Sequence, residues 1–490
     1  MRASDLWIIL ARSRFSSFAS HRTPEGKPLL IRIVAMCADV LTHARAIAVN
    51  LLLVALIAAI VWMAYRESRL RVIVIYPIQV PEELSKRGYS PEVISNRIAV
   101  RLREIDAITA TRMPRERAAT PGSQVDIQIP GAGLGYRATV RFIKEMLGVN
   151  DIAVTGDVIQ SNDKLGMRLV VNPIGGAERS LQVDGIRDNV EALLKDAGEE
   201  LERLINPYVL AGYYASIEEK QCSDDRSKCD FSPSIGLYKQ ILQGDFRDAH
   251  KWALLGWSYV LSKRGEHELA VQKAERAAKL NPDFALAFVS WGNALSGRSR
   301  QDYKAAIEQY RQATDLDPKS ALAFTNWGNL LMELKEWKEA LVIFKRAIKA
   351  DPTYALAYGG AGNALHELGR YPEASEKYRR ASELDPKDER FFNGWGNALR
   401  GQKLYAEAAE KYERATELDP NYAVAFNSWG NALRELGRHK EAAEKFARVT
   451  EISPKYWGAY YEWARSLSFL HENAKAAKTM EIAWSLGLPD

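Results

Sequence analysis

A pattern of small, aromatic and apolar positions recurs throughout the C-terminal half of the chain. Aligning the pattern on the proline near the end of each unit gives six segments: 251–284, 285–320, 321–354, 355–388, 389–422 and 423–456. All have 34 residues except the second, which has two more near Arg298. A seventh segment, 457–490, keeps the helical pattern but lacks the final proline. Self-similarity at a fixed period of this size predicts an array of helical repeats.

Each unit is predicted to form a helix, a turn and a second helix. In 321–354, Trp327 belongs to the apolar face of the first helix and Phe344 to that of the second, with a turn near Lys335 between them. Pro352 then ends the second helix, because proline cannot continue a helix and disfavours the helical conformation in the residue before it.

Small residues recur at two further positions of the unit. A glycine in the first helix costs about 1 kcal/mol of helix stability, so its recurrence indicates a close helix contact that repays this cost. We expect these glycines to face the recurrent alanines of the second helix. The glycines are Gly292, Gly328, Gly362, Gly396 and Gly430, and the alanines are Ala306, Ala340, Ala374, Ala408 and Ala442.

The pattern resembles the tetratricopeptide repeat (TPR) family, with small residues at positions eight and twenty, aromatic residues at four and twenty-four, and proline at thirty-two. The resemblance covers roughly the last half of the chain. It implies an all-α TPR solenoid over residues 251–490, made of seven helix-turn-helix units. It also implies that the first helices line a concave groove that binds a protein or peptide partner.

An asparagine follows the recurrent glycine, at position nine, which the resemblance places in the groove. A carboxamide offers both donors and an acceptor, so such a row can bind an extended peptide backbone. Alternatively, the asparagines hold adjacent repeats together. Arg400 and Arg434 would add charge selectivity to the groove. The candidate peptide-binding asparagines are Asn293, Asn329, Asn363, Asn397 and Asn431.

Most tryptophans of the array occupy position seven. A row of aromatic side chains could stack on a ligand, but in the family this position packs between helices, so we expect these side chains to belong to the core. They are Trp257, Trp291, Trp327, Trp395, Trp429 and Trp463.

Residues 46–65 are almost entirely apolar, with Asn50 as the one clearly polar side chain. Twenty residues at helical rise cover roughly 30 Å, the thickness of a bilayer core, and Trp62 and Tyr65 would suit its interface. This predicts a transmembrane helix after an N-terminal tail, 1–45, that carries seven Lys and Arg residues. We expect a single-pass protein of the cell inner membrane, with a cytoplasmic N-terminus and periplasmic C-terminal domains.

Residues 70–206 have a different sequence pattern, in which β-branched or alternating apolar runs predict strands at 70–78, 124–129, 152–159, 164–173 and 178–183. Helices are predicted at 91–105, 138–147 and 190–204, which gives a small α+β domain. The run LGVNDIAVTGDVIQSNDKLGMRLVV and the closing helix resemble the N-terminal domain of TolB. This resemblance implies that the domain follows a membrane helix on the exported side.

The segment 207–250 is predicted to be a degenerate first repeat or cap around the polar stretch QCSDDRSKC. Cys222 and Cys229 lie close enough in sequence to form a disulfide in an oxidising compartment. Two unpaired thiols are the alternative. No second Cys or His pair accompanies them at zinc spacing, so no metal site is expected.

The remaining composition limits the function. The 67 basic and 62 acidic residues are nearly balanced, unlike the basic stripe of a nucleic-acid-binding protein. No P-loop or hydrolase motif occurs, and residues 44–249 contain no histidine, which removes the commonest general base. We therefore expect neither an enzyme nor a cofactor.

The sequence thus predicts a multidomain protein with one transmembrane helix, a small α+β domain and an all-α TPR solenoid. Its expected function is that of a membrane-anchored scaffold for protein–protein interaction. The alternative is an envelope sensor whose α+β domain binds a small ligand while the repeats transmit the signal.

Overall fold

The computed structural model divides the chain into two units, Met1–Val209 and Leu210–Asp490. They combine an all-α repeat array with a small sheet domain. The residues described are 51–52, 55, 58–59, 62–63, 65, 72–109, 117–119, 140, 143–144, 147, 149, 151–161, 164–174, 177–186, 189–222, 229–244 and 247–487.

The membrane helix predicted over 46–65 needs correction. Across the described ranges, no helix is both long enough and apolar enough to cross a bilayer. The rest of 46–65 and the tail 1–45 lie outside the described residues. The predicted span, and with it the single-pass inner-membrane localisation, is therefore wrong. A run of apolar residues does not by itself form one continuous helix of sufficient length.

The first unit contains a five-stranded sheet in the order β2-β1-β3-β4-β5. Strand β1 pairs in parallel with β2 and β3, whereas β3, β4 and β5 form an antiparallel meander. The elements are β1 (Val72–Ile75), α1 (Glu82–Lys86), α2 (Pro91–Ile108), β2 (Arg117–Ala119), β3 (Ile152–Ser161), β4 (Lys164–Ile174), β5 (Ala177–Ile186) and α3 (Val190–Ile205).

One face of this sheet packs against α2 and α3. The alternation of buried and less buried side chains along β1 brings Ile73 and Ile75 into the same core as Ile98 and Leu201. Helix α2 begins where Ser90 Oγ accepts a hydrogen bond from the backbone N–H of Val93 at 3.3 Å, an N-cap that pairs an otherwise unsatisfied donor.

Most of the predicted elements in this unit have observed counterparts. The runs at 152–159 and 164–173 fall within β3 and β4, and 178–183 falls within β5. The short strand β2 was not predicted. The predicted strand at 124–129 lies outside the described residues, and only isolated positions of 138–147 are described.

The second unit is entirely helical in its described part. Helices α4 and α5 precede the array, whose seven helix pairs occupy the seven segments defined by the sequence. These helices are α4 (Pro207–Gln221), α5 (Ser232–Gln243), α6 (His250–Arg264), α7 (His267–Leu280), α8 (Ala285–Arg298), α9 (Tyr303–Leu316), α10 (Ala321–Glu333), α11 (Trp337–Ala350), α12 (Ala355–Glu367), α13 (Tyr371–Leu384), α14 (Glu389–Gly401), α15 (Tyr405–Leu418), α16 (Ala423–Glu435), α17 (His439–Ile452), α18 (Trp457–Phe469) and α19 (Asn473–Ser485).

In six of the seven units the turn between the two helices contains one left-handed residue, whereas the second unit has the 3₁₀ turn Arg300–Asp302 there. Gly369 and Gly437 have φ of 72° and 73° there, while Lys335 and Lys403 take φ of 62° at the same position. A left-handed residue after the last helical turn lets the next backbone N–H groups bond back to the helix. The turn thereby reverses the chain within a few residues and sets the two helices of a unit side by side.

Candidate functional site

An aromatic ring at position twenty-four fills the space beside the recurrent glycine. A Cβ added to Gly396 would lie 2.6 Å from Cε1 of Tyr412, and one added to Gly328 would lie 2.7 Å from Cε1 of Phe344. The glycines were expected to face the alanines of the second helix, but the aromatic ring is what requires them. The close approach of the two helices therefore carries position nine, the next residue along, to the side of that ring.

Three asparagines at position nine accept a hydrogen bond from a tyrosine of their own unit. The hydroxyl of Tyr310 donates to Oδ1 of Asn293 at 2.7 Å, and the hydroxyl of Tyr412 donates to Oδ1 of Asn397 at 2.8 Å. Tyr378 donates to Asn363 in the same way. These bonds join the two helices of one unit and fix each amide so that its Nδ2 donors point away from the ring.

The tyrosine hydroxyls remain protonated over an unusually wide pH range. Burial is the largest cause, and it raises the pKa of Tyr310 and Tyr378 well above the ordinary value. Burial likewise raises the pKa of Tyr412 to about 12, although Arg400 and Ser428 nearby lower it. A protonated hydroxyl is required for donation to an asparagine oxygen, so these bonds persist at any neutral pH.

The third and sixth units differ, because phenylalanine replaces tyrosine at position twenty-four. Phe344 and Phe446 are fully buried and carry no hydroxyl. In the described part of the chain, the amides of Asn329 and Asn431 have no hydrogen-bond partner. Both therefore keep a donor and an acceptor available. The five asparagines Asn293, Asn329, Asn363, Asn397 and Asn431, called the asparagine face below, are exposed or half-buried.

A cavity of about 470 Å³ opens at the asparagine face between the second and third units. In its wall, Nδ2 of Asn326 donates to Oδ1 of Asn293 at 2.9 Å, a bond between adjacent units. The sequence left such links open as an alternative role for the asparagines, and this bond is one instance of them. The lining residues are Asn293, Ser296, Gly297, Tyr303, Tyr310, Asn326, Asn329, Leu330 and Glu333.

The two candidate arginines have different surroundings. Arg434 is largely covered and forms an ion pair with Glu462 of the next unit, and a second with Glu435 at 3.5 Å. Its charge is therefore already neutralised. Arg400 is exposed and lies near the hydroxyl of Tyr412 beside Asn397. Of the two, Arg400 is the cation that a ligand can reach.

The asparagine face ends at the first unit. Position nine is occupied there by Tyr259, whose hydroxyl donates to Oε2 of Glu219 at 2.7 Å. Lys263 binds the same carboxylate at 2.5 Å. These three side chains join α4 to α6, so the polar groups at this end are occupied by one another.

The tryptophans at position seven pack in the core of the array. Trp327 contacts the core clusters of both the second and the third unit, and Trp395 and Trp429 are shared in the same way. Lysines lie over the rings of Trp257, Trp395 and Trp429, with Nζ of Lys445 3.7 Å from the ring centroid of Trp429. All six rings are half-buried, in keeping with the expected packing role.

Cys222 and Cys229 are joined by a disulfide, with their Cα atoms 5.2 Å apart. Cys222 is buried at the end of α4, and Cys229 precedes α5. Of the two arrangements left open by the sequence, the structure has the bonded one. The bridge links the two helices that precede the array, away from the asparagine face in sequence.

Comparison with known proteins identifies the repeats. One TPR family model matches residues 298–335 and 362–403, and a second tetratricopeptide-repeat model matches 393–456. These matches confirm the TPR repeats predicted from the sequence. They lie within the array, and nothing in the comparisons supports the resemblance of residues 70–206 to the N-terminal domain of TolB. No curated protein matches the chain.

Three solved structures illustrate the similarity of this chain to known folds. YrrB, described as a TPR protein with an unusual peptide-binding site, is 27% identical, with 37% of this chain and 93% of YrrB covered and a TM-score of 0.33. pilF of Pseudomonas aeruginosa is 22% identical, with 40% of this chain and 88% of pilF covered and a TM-score of 0.36. A tetratricopeptide repeat protein of Parabacteroides merdae is 19% identical, with 49% of this chain and 94% of that protein covered and a TM-score of 0.38. All three TM-scores are below 0.5, and the assignment of the repeats rests on the family models.

Proposed function

We propose that the repeat array is a protein-interaction scaffold that binds an extended peptide segment along the asparagine face. The observation that carries this proposal is the pair of amides at Asn329 and Asn431, which have no hydrogen-bond partner among the described residues; each can donate and accept one hydrogen bond with the same peptide unit. A peptide backbone offers one N–H and one C=O at each residue. The amides therefore match a backbone whatever its side chains.

The remaining three asparagines can also bind a peptide backbone, but only as hydrogen-bond donors. At Asn293, Asn363 and Asn397 the oxygen already accepts from a tyrosine, so each offers Nδ2 donors alone. Donors suit the carbonyl oxygens of a peptide. The proposed face therefore combines two positions that can hold both backbone groups with three that hold carbonyls.

Arg400 adds one accessible cation at the fifth unit, which favours a peptide with a carboxylate near that point. We propose binding rather than catalysis, because the groups at this face are amides, hydroxyls and single charges without a paired base and nucleophile.

Selection with a display library of random twelve-residue peptides tests the proposal on the full chain. Enriched peptides are then measured against the double variant Asn329→Ala/Asn431→Ala, in which no tyrosine hydroxyl loses its acceptor. We expect binding to weaken about tenfold or more, since each lost pair of hydrogen bonds contributes about 1 kcal/mol or more. The thermal midpoint should stay unchanged.

Asn421→Ala is the matched control, because Asn421 is exposed in the turn that precedes the sixth unit. This variant should bind like the parent. Failure to enrich any peptide would contradict the proposal, and so would peptides that bind the double variant as tightly as the parent.

A further inference from the structure

The cavity between the second and third units contains an unusual carboxylate. Glu333, at position thirteen of its unit, is the one charged residue among the nine that line the cavity. It is exposed, and within the described part of the chain it forms no ion pair and no hydrogen bond. A carboxylate at the wall of a concave site, with its acceptors free, is suited to bind a cationic group.

The equivalent carboxylates of other units lack this combination. Glu367 in the fourth unit lies 3.4 Å from Nδ1 of His366, and Glu435 in the sixth lies 3.5 Å from Arg434. Neither borders the cavity. Glu333 is therefore distinguished from its equivalents by position and by partner, although all three share the same sequence position.

Two features of the second unit lie at or beside the cavity. Position thirteen is Gly297 there, which lines the cavity and packs against His267 of the first unit, since an added Cβ would lie 3.0 Å from its Nδ1. The two additional residues of this unit accompany a short 3₁₀ turn of three residues, Arg300–Asp302, before α9. Arg298 is held at this turn by Asp302 at 2.7 Å and by Glu268 at 2.8 Å, so its cation does not neutralise Glu333.

The other walls suit a long side chain with a polar end. Tyr303 and the buried Leu330 offer apolar surface for a methylene stem, while the oxygen of Asn293 is already occupied by Tyr310 and Asn326. The unpartnered amide of Asn329 lies in the same cavity. A single ligand residue can therefore bind Glu333 with its side chain and Asn329 with its backbone.

We propose that this cavity is a specificity pocket for a cationic side chain, arginine or lysine, of the bound peptide. The inference rests on the proposed peptide-binding function and adds a sequence preference to it. The Glu333 carboxylate pairs with the cation, and the stem of the side chain packs along Tyr303 and Leu330. A guanidinium can bind both carboxylate oxygens at once, whereas an ammonium binds as a point charge.

The same random-peptide library, applied to the full chain and to its variants, tests this pocket. With the parent, arginine or lysine should be enriched at one fixed position. For the selected peptides, replacing that residue by citrulline, which keeps the shape of arginine without its charge, should weaken binding about tenfold. Separate peptides with arginine and with lysine at that position show which cation is preferred.

Two variants give the pocket a directional test. Glu333→Gln should remove the preference for a basic residue, and Glu333→Lys should replace it with a preference for aspartate or glutamate. A reversed preference cannot result from misfolding. Glu367→Gln and Glu435→Gln are matched controls at the same repeat position and should keep the parental preference.

The outcomes separate this inference from the function on which it rests. Peptides that are enriched and depend on Asn329 and Asn431, but show no basic preference, leave the peptide-binding function intact and overturn the pocket. A basic preference that survives Glu333→Gln and Glu333→Lys also overturns it. Failure to enrich any peptide contradicts the peptide-binding function itself.

Discussion

The hydroxyl of Tyr412 donates a hydrogen bond to Oδ1 of Asn397 at 2.8 Å, and so connects the two helices of the fifth unit. The contact lies beside Gly396, where the absence of a Cβ lets the tyrosine ring reach the first helix. One residue that shapes the asparagine face thus depends on another that belongs to the core. Stability and recognition can be separated by changing each partner in turn.

Replacing Tyr412 by phenylalanine removes the donor and keeps the ring. The fully buried Phe344 and Phe446 occupy the same repeat position, so the new ring should fit. We expect the free energy of unfolding to fall by about 1 kcal/mol, the usual net contribution of such a bond. Urea denaturation at pH 7 measures it. The reverse change, Phe344→Tyr, should give Asn329 a hydrogen-bond donor and cost little or no stability. If Tyr412→Phe leaves the free energy of unfolding unchanged, the hydrogen bond does not stabilise the protein.

The raised pKa of Tyr412, about 12 and caused mainly by burial, predicts a pH effect. An unfolded tyrosine loses its proton near pH 10, so the folded state holds the proton more tightly. The stability from this group is complete below pH 10 and is lost as the pH rises towards 12. Between pH 10 and 11, the advantage of the parent over Tyr412→Phe should shrink by about 1.4 kcal/mol or less. If the free energies of unfolding of the two proteins change equally with pH between 10 and 11, the prediction is wrong.

Alanine in place of Gly396 should destabilise the array despite its higher helix propensity. Its Cβ would lie 2.6 Å from a ring carbon of Tyr412, and such overpacking costs about 1 to 3 kcal/mol. Gly236 in α5 is the matched control, because a Cβ there meets nothing within 4 Å. Gly236→Ala should gain about 0.5 to 1 kcal/mol. The denaturant midpoint of each variant measures its stability. If both variants are more stable than the parent, the ring of Tyr412 does not require glycine at position 396.

Reduction of the bond between Cys222 and Cys229 should lower the stability of the second unit. Closing a short loop restricts the unfolded chain, and for a sequence separation of 7 the loss on reduction is about 2 to 3 kcal/mol. Guanidinium unfolding with and without dithiothreitol measures it. The stability of the double variant Cys222→Ala/Cys229→Ala should not change with the reductant and should equal that of the reduced parent. If dithiothreitol lowers the stability of the parent no more than that of this variant, the prediction is wrong.

The repeat array could be predicted from the sequence because many positions of each unit recur with the same period. Proline at the unit ends and glycine at position eight each have a local physical meaning, so errors at single residues do not disturb the assignment. The apolar stretch at 46–65 lacked such redundancy. Its composition alone indicated a membrane helix, and composition does not establish a helix of the required length.

The contacts within the asparagine face were harder to predict, because they depend on residues distant in the pattern. The exchange of tyrosine for phenylalanine at position twenty-four was visible at Phe344 and Phe446, and it divides the asparagines into two kinds. Using this signal required knowing that the ring lies beside position nine. The cavity at Glu333 likewise is lined by residues of two units, and Gly297 lies in a different unit from the carboxylate.

The shared tryptophans also determine how the array comes apart. Because Trp395 and Trp429 each complete the cores of two neighbouring units, melting one unit strips packing from the next. The fourth unit has the buried Ala361 at position seven, and its core is continuous with that of the third. In the seventh unit, Trp484 is 55% exposed. In such a nearest-neighbour system, amide hydrogen exchange should be fastest at the C-terminal end and slowest in the third and fourth units.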